Sequence, residues 1–343
     1  MSITCDDCQV QIKGRLFGLL KPLSTLCAND NCSKNLCGEC SGNHALIPFK
    51  ENEEPLPIIK ASIKSYCKPC FRDISLLDYS KTYDVVEPTG GTDENTVTLL
   101  WVHGGGSSRL MFRRHAPLLA KKNYRSILID MPGHGTLVDT TTLTLDECVQ
   151  TVTRILDSEN CDTSRTIYIG ASLGAYTGFH VLSRLNDRFS GAVLMDCGQN
   201  VGPDCSLKAR MGLWMLRKMA GSMSNKSLMK AMMSTIKKSK ADFHLAETCY
   251  AAGMFFEQGA AQVHCLHTIR PATNIPALTF PILFFNGSLD YRDSEDHWLS
   301  LCSDKTRSSL KVYEDGDHFF CHDSRFVNDI VDRIDSFVVL CIE

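Results

Sequence analysis

Residues 166–174 read TIYIGASLG, an apolar run that ends in a turn with two glycines around a serine. The run TIYI has the composition of a buried strand, and a helix-compatible segment follows it. The spacing Gly170-x-Ser172-x-Gly174 is typical of a sharp strand-to-helix turn, because glycines let backbone and neighbouring elements approach closely. Such a turn projects the serine oxygen outward at the helix N-terminus. Ser172 is therefore the candidate nucleophile.

A serine hydroxyl is unreactive near neutral pH until a base removes its proton, and an acid must hold that base in place. Two later segments supply both groups. Asp290 follows the apolar run PILFFN (281–286), and His318 follows SLKVY (309–313). We predict a triad of Ser172, His318 and Asp290. Two other acids and one other base stay open as alternatives: Asp293, Asp196 and His322.

Oxyanion-binding groups are predicted from the sequence HGGG (103–106), which follows the run VTLLWV (97–102). Consecutive glycines let backbone N–H groups face a developing negative charge without obstruction by side chains. We expect the oxyanion to be bound by the amide of Leu173 together with that of Gly104 or Gly105.

Apolar runs alternate with longer helical segments from about residue 82 onward. Six runs have the composition of buried strands: VTLLWV (97–102), SILID (126–130), TIYIGA (166–171), GAVLMD (191–196), PILFFN (281–286) and SLKVY (309–313). Strands separated by crossover-length segments predict an α/β fold with a doubly wound, mostly parallel sheet that is buried on both faces. Catalytic groups in such sheets lie at the carboxyl ends of strands. The turn DMPGHG (130–135) also lies at such an end, and we interpret it, with His134, as structural.

These motifs, in their order along the chain, resemble the α/β-hydrolase family over residues 82–343. The resemblance implies the α/β-hydrolase fold and a serine hydrolase that forms an acyl-enzyme intermediate and needs no cofactor for catalysis. Its substrates would be esters, thioesters, lactones or amides. A serine nucleophile argues against the aspartate-nucleophile branches, which open epoxides or haloalkanes.

Residues 199–280 form a segment too long for a plain crossover between strands, and the segment is rich in methionine and lysine. Apolar residues recur at helical spacing, which predicts a helical cap over the active site. Flexible thioether side chains adapt to varied apolar shapes, so the cap favours a hydrophobic or acyl-containing substrate. Alternatively, the methionines only pack the cap onto the sheet. The cations from Lys208 to Lys240 would contact an anionic substrate or a lipid surface, or form a solvated helix face.

Eight cysteines in four closely spaced pairs precede this region: Cys5, Cys8, Cys27, Cys32, Cys37, Cys40, Cys67 and Cys70. Two cysteines separated by two residues can turn both sulfurs toward one metal ion, and four pairs fill two tetrahedral sites. A segment with few large apolar side chains needs such metal binding to fold. We predict two structural zinc ions in a domain spanning residues 1–80, with disulfides or a single metal ion as alternatives.

The stretches CGECSGNHALIP from Cys37 and CKPCFRDI from Cys67 resemble the third and fourth cysteine pairs of the FYVE-type zinc finger. The resemblance implies interleaved ligation, with two sets of four ligands: Cys5, Cys8, Cys37 and Cys40 on one zinc ion, and Cys27, Cys32, Cys67 and Cys70 on the other. FYVE domains that bind phosphatidylinositol 3-phosphate carry a basic run at the third cysteine, whereas LSTLCA (23–28) holds no cation. We therefore expect no preference for this lipid. The finger would bind a protein partner or make peripheral membrane contact.

Composition and charge predict no general attraction to nucleic acid or to an anionic membrane, because the net charge is −3 and the pI about 6.4, so any such partner must be recognised by a local patch. The finger also lacks the interleaved basic and aromatic residues that nucleic-acid binding requires. No apolar run is long enough to span a bilayer, and the start MSITCDDC does not read as a secretory signal. We expect a cytoplasmic protein, with peripheral attachment to endomembranes as a further option. The nine cysteines from Cys148 to Cys341 are interpreted as small buried hydrophobic residues.

Two functions are compatible with these patterns. The first is a carboxyl-ester or lipid hydrolase, and the second is a catalytically silent hydrolase scaffold that acts as an adaptor or receptor recruited through the finger. The complete set of triad and oxyanion residues favours the enzyme.

Overall fold

The computed structural model describes residues 75–343 apart from residues 224, 243, 246, 247 and 249–252, with residues 71–72 and four two-residue strands before them. Those short strands form two antiparallel pairs: Ile3–Thr4 with Gln11–Ile12, and Thr25–Leu26 with Asn35–Leu36. The eight cysteines predicted to bind zinc lie outside the described residues.

A seven-stranded sheet forms the centre of the fold. Its strands in chain order are β1 (Tyr83–Val86), β2 (Thr98–Val102), β3 (Arg125–Ile129), β4 (Thr166–Ala171), β5 (Gly191–Met195), β6 (Ile282–Gly287) and β7 (Ser309–Tyr313). The spatial order is β7-β6-β5-β4-β2-β3-β1, in which β1 runs antiparallel to β3 and all other neighbours are parallel. All six predicted runs form strands, so the predicted mostly parallel sheet is confirmed.

The edge strand β1 is the one member of this sheet that the sequence patterns did not indicate. Its four residues YDVV are only partly buried, because the strand has a neighbour on one side alone. A short run that contains Asp84 carries too little apolar signal to be recognised as a strand.

Helices flank both faces of the sheet. Their bounds are α1 (His115–Ala120), α2 (Leu145–Ser158), α3 (Leu173–Arg184), α4 (Leu207–Ser222), α5 (Asn225–Ile236), α6 (Gly259–Thr268), α7 (Pro271–Asn274), α8 (Glu295–Leu301) and α9 (Val327–Ile342). Short 3-10 turns occupy Arg109–Phe112, Gly135–Leu137, Thr163–Arg165, Asn186–Arg188, Ile275–Ala277 and Phe320–His322.

Side-chain alternation along each strand divides the core into two layers. In β2, Leu100 and Val102 pack with α2 and α3, whereas Leu99 and Trp101 pack with α1 and α9. Since both faces are covered, every residue of β2 is buried. This explains why the parallel strands read as continuous apolar runs rather than as alternating ones.

The start of α2 shows how the sequence sets a helix boundary. The Thr144 hydroxyl accepts a hydrogen bond of 3.1 Å from the backbone N–H of Glu147, which satisfies one of the free donors at the helix N-terminus. Cys148, Val152 and Ile155 recur at helical spacing and are buried against the sheet. The helix therefore begins at its cap and turns one apolar face inward.

The segment between β5 and β6 contains helices α4 to α7. Met229, Met233 and Ile236 of α5 form a small apolar core with residues that follow, including Met254 and Phe256. This core packs α5 against the residues that follow it, and the helical cap predicted for residues 199–280 stays a prediction. Among the described residues, no helix is both long enough and apolar enough to cross a membrane.

Candidate active site

Ser172 lies in the tight turn between β4 and α3, and its φ of 48° falls in the left-handed region that non-glycine residues rarely adopt. The flanking glycines make this turn possible. A Cβ atom at Gly174 would collide with the carbonyl oxygen of Val102, and one at Gly170 would lie 2.7 Å from the carbonyl carbon of Gly174. The turn therefore holds the serine hydroxyl above the carboxyl end of the sheet.

His318 contacts both other members of the predicted triad. Its Nε2 lies 3.0 Å from Ser172 Oγ, and its Nδ1 lies 2.8 Å from Asp290 Oδ2. Since a carboxylate accepts hydrogen bonds, Nδ1–H donates to Asp290, and Nε2 is left to accept the proton of the serine hydroxyl. The structure thus brings together three side chains that lie 28 and 146 residues apart in the chain.

Hydrogen bonds between two loops fix the relative position of the acid and the base. The backbone N–H of Leu289 donates to the carbonyl oxygen of Gly316 at 2.8 Å, and that of Ser288 donates to Tyr313 at 2.9 Å. A Cβ atom at Gly287 would collide with the backbone of Gly316, so glycine lets the two loops touch. Because β6 and β7 are neighbours, these bonds hold Asp290 beside His318.

The HGGG segment lies directly opposite Ser172. A Cβ atom at Gly104 would lie 3.4 Å from the Cβ of Ser172, and one at Gly105 would collide with the side chain of Gln262. The N–H of Gly104 donates to Met111 Sδ at 3.1 Å. Of the two glycine amides considered for the oxyanion, that of Gly104 is therefore engaged in this structure. The amide of Leu173 lies at the N-terminus of α3, next to the nucleophile.

His103 fixes this segment rather than facing a substrate. It is buried, and its Nδ1 lies 2.7 Å from the carbonyl oxygen of Gly104, to which Nδ1–H donates. Its Nε2 accepts the N–H of Met131 at 3.0 Å. Burial lowers the pKa of His103 to about 4, so the ring is neutral near pH 7 and both bonds persist.

A cavity of about 260 Å³ opens in front of Ser172 and His318. Its floor is formed by the HGGG segment, and its walls are largely apolar. The apolar lining comes mainly from the segment between β5 and β6, which contributes Met232, Ile236, Leu245, Met254 and Phe256. Phe319, in the loop after β7, adds to it. A hydroxyl and an imidazole thus meet at one end of a hydrophobic pocket, which is suited to an apolar group carrying one reactive polar bond.

Comparison with known proteins agrees with this arrangement. Residues 99–330 match the model of the Alpha/beta hydrolase family. The chain belongs to the alpha/beta hydrolase family. A search of curated proteins found no match.

Several solved structures share this fold with low sequence identity. A thermophilic esterase from Thermogutta terrifontis is 17% identical, with 76% of this chain and 93% of that chain covered and a TM-score of 0.60. The enol-lactonase from Burkholderia xenovorans LB400 is 14% identical, with coverages of 75% and 95% and a TM-score of 0.59. MenH from S. aureus is 14% identical, with coverages of 77% and 100% and a TM-score of 0.58. At these identities the likeness supports the α/β-hydrolase fold and no finer assignment.

The electrostatics of this α/β-hydrolase site favour a protonated imidazole. Burial opposes the charge on His318, but the hydrogen bond to Asp290 and the negative charge of nearby carboxylates outweigh it and raise the pKa of His318 to about 9. The ordinary value is 6.5. The hydrogen bond and the nearby negative charge therefore stabilise a protonated imidazole at this position.

Asp196 places a second carboxyl group beside the triad. A carboxyl oxygen of Asp196 lies within 4.8 Å of a carboxyl oxygen of Asp290 and of a ring nitrogen of His318, in the only grouping of three potential metal ligands among the described residues. Asp196 is buried, and its Oδ1 has no hydrogen-bond partner in the part of the chain that the structure describes. Burial, with a smaller contribution from Asp290, raises its pKa well above the ordinary range. We therefore interpret Asp196 as a neutral acid and Asp290 as the charged partner of His318.

The other two alternatives lie apart from the nucleophile. Asp293 is exposed and accepts a hydrogen bond of 3.1 Å from the hydroxyl of Ser294. His322 is buried in the cavity wall, and burial lowers its pKa to about 3, which makes it a poor base. The ring that is hydrogen-bonded to the Ser172 hydroxyl is that of His318, whose Nε2 accepts.

Asp130, the first residue of the DMPGHG turn, forms an ion pair that the sequence patterns did not indicate. Asp130 Oδ2 lies 2.5 Å from the guanidinium of Arg109, and both side chains are fully buried. Arg109 also donates to Asp84 of β1 at 2.9 Å. The turn thus joins the edge strand to the segment after HGGG. His134, which we left out of the site, is buried and directs Nδ1 at the carbonyl oxygen of Pro132, at 3.0 Å.

Proposed function

We propose that this chain hydrolyses carboxylic esters through an acyl-enzyme intermediate on Ser172. The observation that carries the proposal is the chain of hydrogen bonds from Ser172 Oγ through His318 to Asp290, at 3.0 and 2.8 Å, at the end of an apolar cavity. A serine in this setting can be deprotonated as it attacks, which an isolated serine cannot.

The reaction follows from these positions. Ser172 Oγ attacks the carbonyl carbon while His318 Nε2 takes the hydroxyl proton, and the carbonyl oxygen becomes an oxyanion. The amides of Leu173 and Gly105 bind that oxyanion, because the amide of Gly104 already donates to Met111. His318 then protonates the leaving alkoxide, which departs as an alcohol. A water molecule hydrolyses the acyl-enzyme by the same steps, with its proton passing through His318 to Ser172.

The apolar cavity favours a hydrophobic acyl group as the part of the substrate that the protein binds. Methionine and phenylalanine side chains adapt to chains of different shape, so we propose broad acceptance of acyl groups rather than one fixed length. The solved structures of an esterase and an enol-lactonase with this fold support esters or lactones as the substrate class.

Hydrolysis of p-nitrophenyl esters of increasing acyl length tests the proposal. We expect kcat/KM to rise from acetate to longer chains and to fall once the chain exceeds the cavity. The variant Ser172→Ala should lose about 10³-fold or more, leaving only the contribution of binding and oxyanion stabilisation. Wild-type activity no higher than that of Ser172→Ala would instead favour the silent scaffold that acts as an adaptor or receptor.

We further propose that residues 1–80 bind two structural zinc ions. Support comes from the donor set, because eight thiolates suit zinc. In the sequence, Cys5 and Cys8 fall between the two strands of one antiparallel pair, and Cys27 and Cys32 fall between the two strands of the other. Metal analysis of protein purified with reduced thiols should find two zinc ions per chain. One ion or none would contradict the interleaved ligand set.

A further inference from the structure

Helix α4 presents its apolar side chains to solvent. Five of these side chains share one face because they recur at intervals of three, four or eight residues: Leu207, Met211, Trp214, Met215 and Met219. The first three are 69%, 58% and 62% exposed. Surface helices of globular proteins normally direct such a face inward. In α4 the inward face carries Ala209, Leu213 and Ala220, which are partly buried.

Contacts with α6 hold α4 in this orientation. A Cβ atom added at Gly259 of α6 would lie 3.4 Å from the Cβ of Ala220 in α4. A Cβ atom added at Gly221 of α4 would lie 3.7 Å from the Cβ of Ala260 in α6. The hydroxyl of Ser206 caps the other end by accepting the N–H of Ala209 at 3.2 Å. Because small residues let the two helices approach closely, the large apolar side chains of α4 are fixed on its outer side.

The exposed face lies in a strongly basic segment. Residues 205–241 contain nine lysines and arginines and no aspartate or glutamate, although the whole chain has a net charge of −3. Among the cations of this segment whose side chains are described, only Lys240 forms an ion pair, with Asp315 at 3.4 Å. The ammonium of Lys218 lies 6.0 Å from the ring centroid of Trp214, so cations and apolar groups share one surface.

We propose that α4 and the basic segment 205–241 dock on the surface of an anionic phospholipid bilayer. Exposed leucine, methionine and tryptophan side chains flanked by cations are the features with which a helix inserts between lipid headgroups. Tryptophan in particular favours the membrane interface. A second copy of this chain fits the surface less well, because two segments of the same positive charge would repel each other.

The docking surface borders the cavity of the candidate active site. Met232 and Ile236, on α5 within the same basic segment, line that cavity, while Lys230, Lys237 and Lys238 are exposed beside them. Docking would therefore place the cavity at the lipid surface. An acyl chain could then pass from the bilayer to Ser172, an extension that rests on the proposed ester hydrolysis.

Intrinsic fluorescence reports on this surface directly. The chain has three tryptophans, and Trp101 and Trp298 are each only 1% exposed, so Trp214 dominates the response to solvent. Full-length protein should show a blue shift and weaker iodide quenching when vesicles of phosphatidylcholine with phosphatidylserine are added. Vesicles of phosphatidylcholine alone should give a smaller effect, and added salt should weaken binding.

Vesicle sedimentation of variants separates the two contributions. We expect Met211→Gln/Trp214→Gln/Met215→Gln to lower the partition coefficient by about tenfold or more, since it removes exposed apolar area. Lys208→Glu/Arg217→Glu/Lys218→Glu should lower it at least as much, because each cation near an anionic surface contributes about fivefold. The matched control Val339→Gln/Leu340→Gln changes exposed apolar residues of α9 and should bind like wild type.

The variants of α4 should hydrolyse a water-soluble p-nitrophenyl ester like wild type, which shows that they fold. Equal sedimentation of wild type and both α4 variants would overturn the proposal by placing binding elsewhere, for example in residues 1–80. A blue shift that grows with protein concentration in the absence of vesicles would indicate a second copy and would also overturn it. Ser172→Ala should still sediment, so a failure of ester hydrolysis and a failure of docking give different results.

Discussion

At the scale of single residues, two carboxyl groups compete for one imidazole. Asp290 makes the hydrogen bond of 2.8 Å to His318, while Asp196 is buried with one oxygen unpaired among the described residues. Two carboxylates and one cation this close together cannot all be charged without a large cost. We therefore assign the negative charge to Asp290 and the proton to Asp196.

This assignment predicts unequal effects of two matched substitutions. Asp290→Asn should lower kcat/KM for a p-nitrophenyl ester by about 10³- to 10⁴-fold, because the amide favours the wrong imidazole tautomer. Asp196→Asn replaces a neutral acid by a neutral amide and should cost less than about tenfold. The reverse order of the two effects would show that Asp196 is the acid of the triad.

The pH dependence of hydrolysis reports on His318. The pKa of this imidazole is raised from 6.5 to about 9. Burial lowers the pKa, but the hydrogen bond to Asp290 and the nearby negative charge raise it by more. The neutral imidazole is the active base, so kcat/KM should increase with pH through an apparent pKa between these two values. Part of the rise to about 9 comes from negative charge on Asp196. Because we assign a proton to Asp196, the apparent pKa of His318 should lie below 9. Half-maximal activity below pH 6.5 would contradict the raised pKa.

At the scale of elements, glycine determines where the sheet and helices meet. Gly174 on α3 packs against the carbonyl oxygen of Val102 in β2, whereas a Cβ atom at Gly212 on α4 would have nothing within 4 Å. The same residue type thus has opposite roles in two helices. At one position it permits contact between backbones, and at the other it only adds freedom to the unfolded chain.

The two positions allow a matched prediction about stability. Gly174→Ala should lower the free energy of unfolding by roughly 3 kcal/mol, because backbone must move to accept the methyl group. Gly212→Ala should raise it by up to about 1 kcal/mol, as expected for a glycine in an exposed helix interior. Urea unfolding followed by circular dichroism measures both changes. A destabilisation by Gly212→Ala, or none by Gly174→Ala, would be inconsistent with these contacts.

The elements also show how far sequence patterns reach. Five of the six predicted strands are almost entirely buried apolar runs, whereas β7, at the other edge of the sheet, is mostly only partly buried. The residues of the triad follow three of the six strands. Strand β1, with Asp84 among its four residues, has no such run. The cavity wall could not be predicted residue by residue, since Met254 and Phe256 reach the site only through packing of the segment between β5 and β6. Nor does any local pattern link Arg109 with Asp130.

At the scale of the whole molecule, the seven-stranded sheet carries a site at its carboxyl edge, with a basic apolar surface beside that site. The fold also buries ionisable groups away from the reaction. Burial lowers the pKa of His103 and His115 to about 4, and that of His134 and His322 to about 3. These rings are neutral in the folded protein near pH 7.

Stability should consequently fall in acid. Below pH 6.5 the unfolded chain binds protons on these histidines, while the folded protein does not until about pH 4, so acid favours unfolding. Each ring should cost roughly 1–2 kcal/mol at pH 5 relative to pH 7.5, partly offset by the raised pKa values of Asp196 and His318, which favour the folded state as the pH falls. His115→Gln cannot take up a proton and should flatten the dependence in urea titrations. Equal stability of the wild type at both values would refute the burial argument.

The central claim is that His318 activates Ser172 for attack on a carbonyl. Labelling with a fluorophosphonate probe, followed by mass spectrometry of the modified peptide, tests it most directly, because the probe reacts with an activated serine and needs no knowledge of the substrate. We predict one adduct per chain, located on Ser172, with labelling abolished in Ser172→Ala and slowed by about 10³-fold or more in His318→Ala. Absence of labelling in folded wild-type protein, or an adduct on another serine, would contradict the claim.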